Sequence, residues 1–300
     1  MAEGQRMANV LITGTSTGIG EATARLMAER GWTVYAGVRK PEDGDRLKAD
    51  LPGDVRPVIL DVGNRDDIAR VIADIGQDVG ANGLQGLVNN AGIGVGGPFE
   101  YLTEDDWRWV FEINFFGVIA LTLAALPLLR DGSGRIVHIG SVGGRIASPG
   151  LGPYNASKFA LEALAGSQQA EFAGSGSPIR VAIVEPGEVK TEIWTKADSD
   201  ADELEQRFDD AGRTRYQWLI DMSRGFIDEG RTKGVRPVKV AEVVEHALTA
   251  DRPKARYLVG QDAKVAGHVL TRLPDRARAA AGRFGNSRWE ARGRKLRGAE

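Results

Sequence analysis

The chain has 300 residues, 42% of them apolar, and a formal net charge of −2. That length allows one large α/β domain or two small ones, and the charge gives no sign of a nucleic-acid-binding protein. The absence of cysteine excludes disulfides and thiolate metal sites, and three scattered histidines (His138, His246, His268) offer no zinc pattern, so no metal is expected.

The first ten residues, MAEGQRMANV, lack the apolar stretch of a signal peptide. Residues 8–13, ANVLIT, are short, apolar and bounded by glycine, as in a buried strand. The sequence Gly14-Thr15-Ser16-Thr17-Gly18-Ile19-Gly20 follows, and a helical pattern then runs to Arg30. Strand, glycine-rich turn and helix together suit a pyrophosphate: glycine lets backbone approach it, and the helix start supplies N–H groups and a favourable dipole. An ordinary tight turn is the plain alternative.

Residues 32–38 read as a second strand, followed directly by Arg39-Lys40. In a dinucleotide fold this strand end meets the adenosine ribose. Val38 has no acceptor for a 2′-hydroxyl, while Arg39 offers a fork to a 2′-phosphate. Glu42 and Asp43 lie close enough to neutralise it. The run VRPVIL, ending at Asp61, reads as a third strand, which would bring Asp61-Val62 to an adenine amino group. A helix covers about 64–79, and strand four (84–88) leads to Asn89-Asn90-Ala91-Gly92, small residues that would let backbone lie against the adenine ribose.

Thr103 followed by Glu104-Asp105-Asp106 looks like an N-cap with an acidic first turn. The long helix after it, to about 130, holds Asn114 among Phe111, Ile113, Phe115 and Phe116, and a buried amide must be paired. The longest apolar run, 113–129, is broken by Asn114, Gly117, Thr122 and Pro127, so no transmembrane segment is expected and the reading is a soluble, cytoplasmic protein.

Strand five (135–139) ends at Gly140-Ser141, and after a Gly/Pro-rich loop a helix carries Tyr154 and Lys158. One helical turn separates those two, so they leave the same face. An ammonium beside a phenol favours phenolate and should pull the tyrosine pKa below its usual value of about 10. Ser141 lies at the carboxyl end of its strand, where ligands bind in open α/β sheets. A core tyrosine and a solvated lysine are the plain alternative.

The segment IRVAIVEPG gives strand six. Residues 195–236 begin acidic and turn aromatic, and read as one or two inserted helices: either routine packing or a lid over an apolar substrate. A helix from Pro237 to Ala250 and a strand in ARYLVG complete a single doubly wound parallel sheet of Rossmann type, seven-stranded, with helices on both faces, over residues 1–271. Residues 272–300 carry nine Arg/Lys against three Asp/Glu, and read as a basic, partly disordered tail.

Jointly these motifs resemble the short-chain dehydrogenase/reductase family. The matches are Thr13-Gly14-x-x-x-Gly18-Ile19-Gly20, Asn89-Asn90-Ala91-Gly92, Asn114, Ser141, Tyr154-Asn155-Ala156-Ser157-Lys158 and Pro186-Gly187-x-Val189-x-Thr191. Tyr35-Ala36-Gly37, Glu185-Pro186-Gly187 and the long C-terminal region are similar to the retinol dehydrogenase/3-hydroxybutyrate dehydrogenase type 1 branch. The resemblance implies Tyr154 as general acid or base, and Lys158 depressing its pKa and holding the nicotinamide ribose. It implies Ser141 bonding the substrate oxygen and Asn114 organising a water that relays protons to Lys158. Gly14, Ser16, Thr17, Gly18, Ile19, Arg39, Asp61, Val62, Asn90, Ala91 and Gly92 would line the cofactor, and Pro186, Gly187, Val189 and Thr191 the nicotinamide. The expected activity is hydride transfer between NADP(H) and an apolar alcohol or carbonyl. The same chemistry with NAD(H), or a dinucleotide-binding regulator without turnover, is the alternative. Relatives of this kind are commonly homodimers or homotetramers, formed through helices near 103–130 and 154–173.

Overall fold

A computed structural model describes residues 8–298. Seven parallel strands lie in the order β3-β2-β1-β4-β5-β6-β7: β1 Asn9–Thr13, β2 Thr33–Val38, β3 Val55–Ile59, β4 Gly86–Asn89, β5 Arg135–Ile139, β6 Arg180–Pro186 and β7 Arg256–Val259. Successive β-residues point to opposite faces. Val10 and Ile12 of β1 therefore join a core with Ala24 and Met27 of α1 (Gly18–Glu29) and Val240 and Val244 of α9 (Pro237–Thr249). Leu11 joins the opposite core, with Ile68, Val71 and Ile75 of α3 (Arg65–Val79), Leu121 and Leu129 of α5 (Gly117–Asp131), and Leu161 of α6 (Gly152–Gly174). The expected single doubly wound sheet is the fold.

The strand order reverses between β1 and β4, and the loops after those two strands open at the carboxyl edge, where such folds bind ligands. A short helix absent from the sequence reading, α2 (Pro41–Asp50), follows β2. Proline sits in its first turn with Glu42 and Asp43, an arrangement that starts helices well.

The long helix predicted from 103 is capped as expected. Asp106 N donates to Thr103 Oγ1 (3.2 Å), and Thr103 N donates to Asp106 Oδ2 (2.8 Å). Its course is α4 (Glu104–Phe111), a π-helical turn at Glu112–Phe116, and α5. The expectation that no segment is long and apolar enough to cross a membrane needs correction. The 28-residue span Glu104–Asp131 reaches a mean hydropathy of 1.9 over its best window, because isolated Asn, Gly, Thr and Pro barely dilute the surrounding apolar residues. Here Leu121, Ala125 and Leu129 of that span are core residues, while Trp109, Phe116 and Leu123 face outward.

The inserted segment forms two helices, α7 (Ile193–Glu205) and α8 (Asp210–Lys233). After β7 come α10 (Gln261–His268) and α11 (Asp275–Arg297). The expected partly disordered tail is also corrected: α11 lies along α8. Each helix carries a glycine where they cross. A Cβ on Gly293 would stand 1.8 Å from Asp221 O, and one on Gly225 1.9 Å from Trp289 O. The Trp289 ring packs on Phe226 (centroids 4.9 Å apart), which packs on Trp194 of α7 (5.2 Å). Arg297 grips the buried Asp221 carboxylate through Nε (3.0 Å) and Nη2 (2.9 Å). Average composition hides these few anchors among many arginines.

Candidate active site

The glycine turn is built as the pattern requires. Gly14 and Gly18 have φ of 67° and 65°, in the left-handed region that side chains avoid. A Cβ on Gly14 would stand 2.9 Å from Ala91 Cα, and one on Gly18 3.0 Å from Thr191 Cγ2. Bare backbone therefore lines a trough from β1 across the end of β4, with the loop after β6 as its far wall. Thr17 caps α1 without a side-chain hydrogen bond to its first N–H groups. Ser16 and Gly18 are half-buried, and Ile19 packs on the core below. A phosphate fits this cradle.

The Asn90 side-chain amide is engaged within the protein. Its amide donates to Thr13 O (2.8 Å) and Gly14 O (2.9 Å), and Thr13 Oγ1 accepts from Asn90 N (3.0 Å) and Ala91 N (2.9 Å). Asn90 thus locks the two loops together, leaving Ala91 and Gly92 to present backbone. Asp61 and Val62 follow β3 as expected, with Asp61 Oδ1 accepting from Gly63 N (2.9 Å). Val38 is buried, and Arg39 is exposed at the end of β2. Among the described residues Arg39 pairs with neither Glu42 nor Asp43. Sequence reading missed a second cation: Arg46 of α2 donates to Ser16 O and pairs with Glu21 (3.2 Å). The acidic first turn of α2 was the available signal.

Past β6 the predicted nicotinamide stretch is held rigidly. Gly187 N donates to Val259 O (3.0 Å), and Glu188 N to Asp262 Oδ2 (2.7 Å). Val189 is buried and pairs in parallel with Val235. Pro186 ends β6, and Thr191 faces the glycine turn across the trough.

The groups expected to handle protons converge at the end of β5. Ser141 is nine-tenths buried and its Oγ accepts from Gly143 N (3.0 Å); a Cβ on Gly143 would stand 3.2 Å from Tyr154 Cε1 and 3.3 Å from Ser141 Oγ, so the hydroxyl lies beside the phenol ring. Lys158 is buried, and its Nζ donates to Ile139 O (2.9 Å) while standing 5.8 Å from the centre of the Tyr154 ring. The expected depression of the tyrosine pKa is reversed here. Burial pushes the Tyr154 phenol up, with the neighbouring Ser141 hydroxyl acting the other way. The same burial pushes Lys158 down to about 8. At this separation, with the ammonium turned to a carbonyl, desolvation outweighs the attraction between cation and phenolate.

Asn114 sits in the π-helical turn, a feature frequent at functional sites. Its Oδ1 accepts from Ile93 N (2.8 Å), and its amide donates to Ile93 O (2.8 Å) and Ser157 Oγ (3.0 Å). The side chain therefore clamps the loop after β4 onto α6, the structural pairing that a buried amide demands. A Cβ on Gly92 would stand 3.3 Å from Asn114 Oδ1 and 3.6 Å from Lys158 Nζ, so the trough runs directly into the Lys158 pocket.

Fold and geometry together describe a nucleotide trough ending at a Ser/Tyr/Lys cluster. Comparison with known proteins agrees. The short chain dehydrogenase family matches residues 8–202. Retinol dehydrogenase 5 of Mus musculus is 36% identical over 280 residues, 89% of this chain and 85% of that protein. An NADPH-dependent 3-dehydrocapnine reductase of Ornithobacterium rhinotracheale is 31% identical over 275 residues, covering 90% and 94%. A short chain dehydrogenase/reductase from Burkholderia phymatum, solved in complex with NAD, superposes with a TM-score of 0.73 at 26% identity, covering 89% and 92%. The chain belongs to the short chain dehydrogenase family, near its retinol dehydrogenase branch, and is an oxidoreductase acting on the CH–OH group of donors.

Proposed function

We propose that the enzyme transfers a hydride between NADP(H) and an apolar alcohol or carbonyl compound, with Tyr154 as the general acid/base. The observation that carries this is the convergence of Ser141, Tyr154 and Lys158 where the glycine-lined trough ends. Bound nicotinamide supplies or accepts the hydride. The chain does the rest. Tyr154 gives its phenolic proton to the forming alkoxide in reduction, or takes the proton of the alcohol in oxidation. Ser141, beside that phenol, would turn its hydroxyl hydrogen to the substrate oxygen as a second donor. Lys158 offers N–H donors to a ribose. Asn114 fixes the loop that carries Gly92 beside Lys158.

The preference for the phosphorylated cofactor rests on Val38, which has no acceptor, and on Arg39, exposed at the strand end. The apolar substrate rests on α7 and α8, where Leu204 reaches Gly97 and Leu219 reaches Gly150 over the loops flanking Tyr154. We read the outward Trp109, Phe116 and Leu123 of α4–α5, with Phe159 of α6, as the face through which subunits associate. The test is a carbonyl and alcohol panel with both cofactors, followed by absorbance of the reduced nicotinamide. Turnover that Tyr154→Phe abolishes is expected; turnover surviving that change refutes the mechanism.

A further inference from the structure

Among the described residues, two buried side-chain oxygens meet no hydrogen-bond partner: Glu162 Oε1 and Glu185 Oε2. Their carboxyl groups share one guanidinium. Arg256 Nε of β7 donates to Glu185 Oε1 (2.6 Å), and its Nη2 donates to Glu162 Oε2. Arg145 Nη1 stands 3.7 Å from Glu185 Oε2, beyond hydrogen-bond range. Glu185 is fully buried, and neighbouring nitrogens of the one guanidinium hold the two carboxyl groups side by side. Two ionised carboxylates present acceptors only, so such a contact would repel and leave both oxygens unsatisfied. One hydrogen between them satisfies both.

The pair touches the catalytic elements without touching substrate or the trough. Glu162 lies on α6, one turn beyond Lys158, and Glu185 is the residue of β6 before Pro186. A Cβ on Gly144 would stand 3.3 Å from Glu162 Cγ, and one on Gly140 3.4 Å from Glu185 Cγ. The turn from Gly140 to Arg145, carrying Ser141, rests on both side chains.

We propose that Glu162 and Glu185 share one proton across those oxygens, and that this acid–carboxylate pair is a positioning device for the Ser141 turn. Burial and the neighbouring Glu162 push Glu185 up to about 8, against the pull of Arg256, in keeping with a carboxyl held neutral. Glu162 faces Glu185 from α6, Arg256 from β7 and Arg145 from the turn. Losing the shared proton in alkali sets two buried like charges against each other beneath Ser141.

The effect on turnover rests on the role proposed for Ser141; the proton itself does not. Infrared difference spectra of the full chain at about pH 7 should contain the C=O stretch of a protonated carboxylic acid. That band should disappear in both E162Q and E185Q. Glu188, pushed by burial to about 7, adds a band of its own, so the test reads the difference between wild type and variant: no protonated-acid band lost in E185Q overturns the shared proton whatever the activity. For positioning, E162A should lower kcat about tenfold with cofactor KM unchanged, because it leaves Glu185 without its proton partner. E162Q, whose amide donates to Glu185 at every pH, should restore kcat to within about twofold. Equal losses in E162A and E162Q, with the infrared band lost in E185Q, overturn the positioning role alone.

Discussion

At the scale of single residues, desolvation sets the protonation states. Tyr154 and Lys158 are each pushed toward their neutral forms by the same burial. Tyr154→Phe should abolish turnover and leave cofactor affinity nearly intact, since it removes a proton and little surface. Lys158→Ala should weaken both, and unchanged cofactor affinity would remove the lysine from the ribose site. For the cofactor, kcat/KM should favour NADP(H), fall about tenfold in Arg39→Ala, and shift to NAD(H) in Val38→Asp. His138 gives a clean pH test. It is fully buried, its Nε2 hydrogen donates to Gln168 Oε1 (2.8 Å), and its Nδ1 accepts from Asn89 Nδ2 (3.2 Å). Burial lowers its pKa from 6.5 to about 4. The unfolded chain binds this proton at higher pH than the folded one. Stability should therefore fall as pH drops through that window, by about 3 kcal/mol at the acid end. A His138 imidazole that titrates near 6.5 by NMR contradicts this. Residue types and spacing identified Ser141, Tyr154 and Lys158 in the sequence. Their pKa directions were not legible there, because a one-turn spacing sets which face side chains share and not where an ammonium points. Asn90 and Asn114 stood out for the same reason, and their partners Thr13 and Ile93 show that both side chains clamp loops together.

Helices and strands followed their patterns closely wherever the pattern was strong. Strand β5 occupies the predicted 135–139, and Asn64, Thr103 and Pro237 start helices where caps or proline mark them. The short α2 escaped notice because its ten residues bury only Gly44 and Leu47, too few to make a periodic signal. The paired helices α7 and α8 are joined by Arg224, which binds Asp198 (3.0 Å), Glu205 (3.1 Å) and Asp202. This accounts for three carboxylates of the acidic run that opens the insertion, and Asp198 also pairs with Arg231 (2.8 Å). Trp218 stays substantially exposed on α8. If these helices cover the substrate, Trp218→Ala should raise KM for bulky apolar substrates severalfold and for small ones little. An equal change across sizes would make the insertion a packing element only.

Across the whole molecule, the C-terminal helix changes how the chain must be divided. A tail judged by average charge looks dispensable, but α11 carries an aromatic anchor, the bidentate grip of Arg297 on Asp221 and a further ion pair from Arg292 to Asp228, all to α8. Ending the chain after Gly285 should lower Tm by several degrees, because it strips Trp289 from Phe226 and leaves the buried Asp221 without Arg297. Trp289→Ala alone should cost about 2–3 kcal/mol for a half-buried ring. A truncated chain with unchanged Tm and unchanged KM for bulky substrates would show that α11 is an ornament on α8.

The docking of α11 also has a consequence in time. Ribosomes deliver the chain from its N-terminus at roughly 5–20 residues per second. Phe226 emerges about 60 residues before Trp289, so its ring waits several seconds for its cover. Trp194 of α7 already meets one side of the Phe226 ring, while the side that Trp289 will cover is bare. That interval, rather than any weakness of the finished enzyme, is when this chain is most open to association with its neighbours. Slow decoding between residues 226 and 289 would lengthen it.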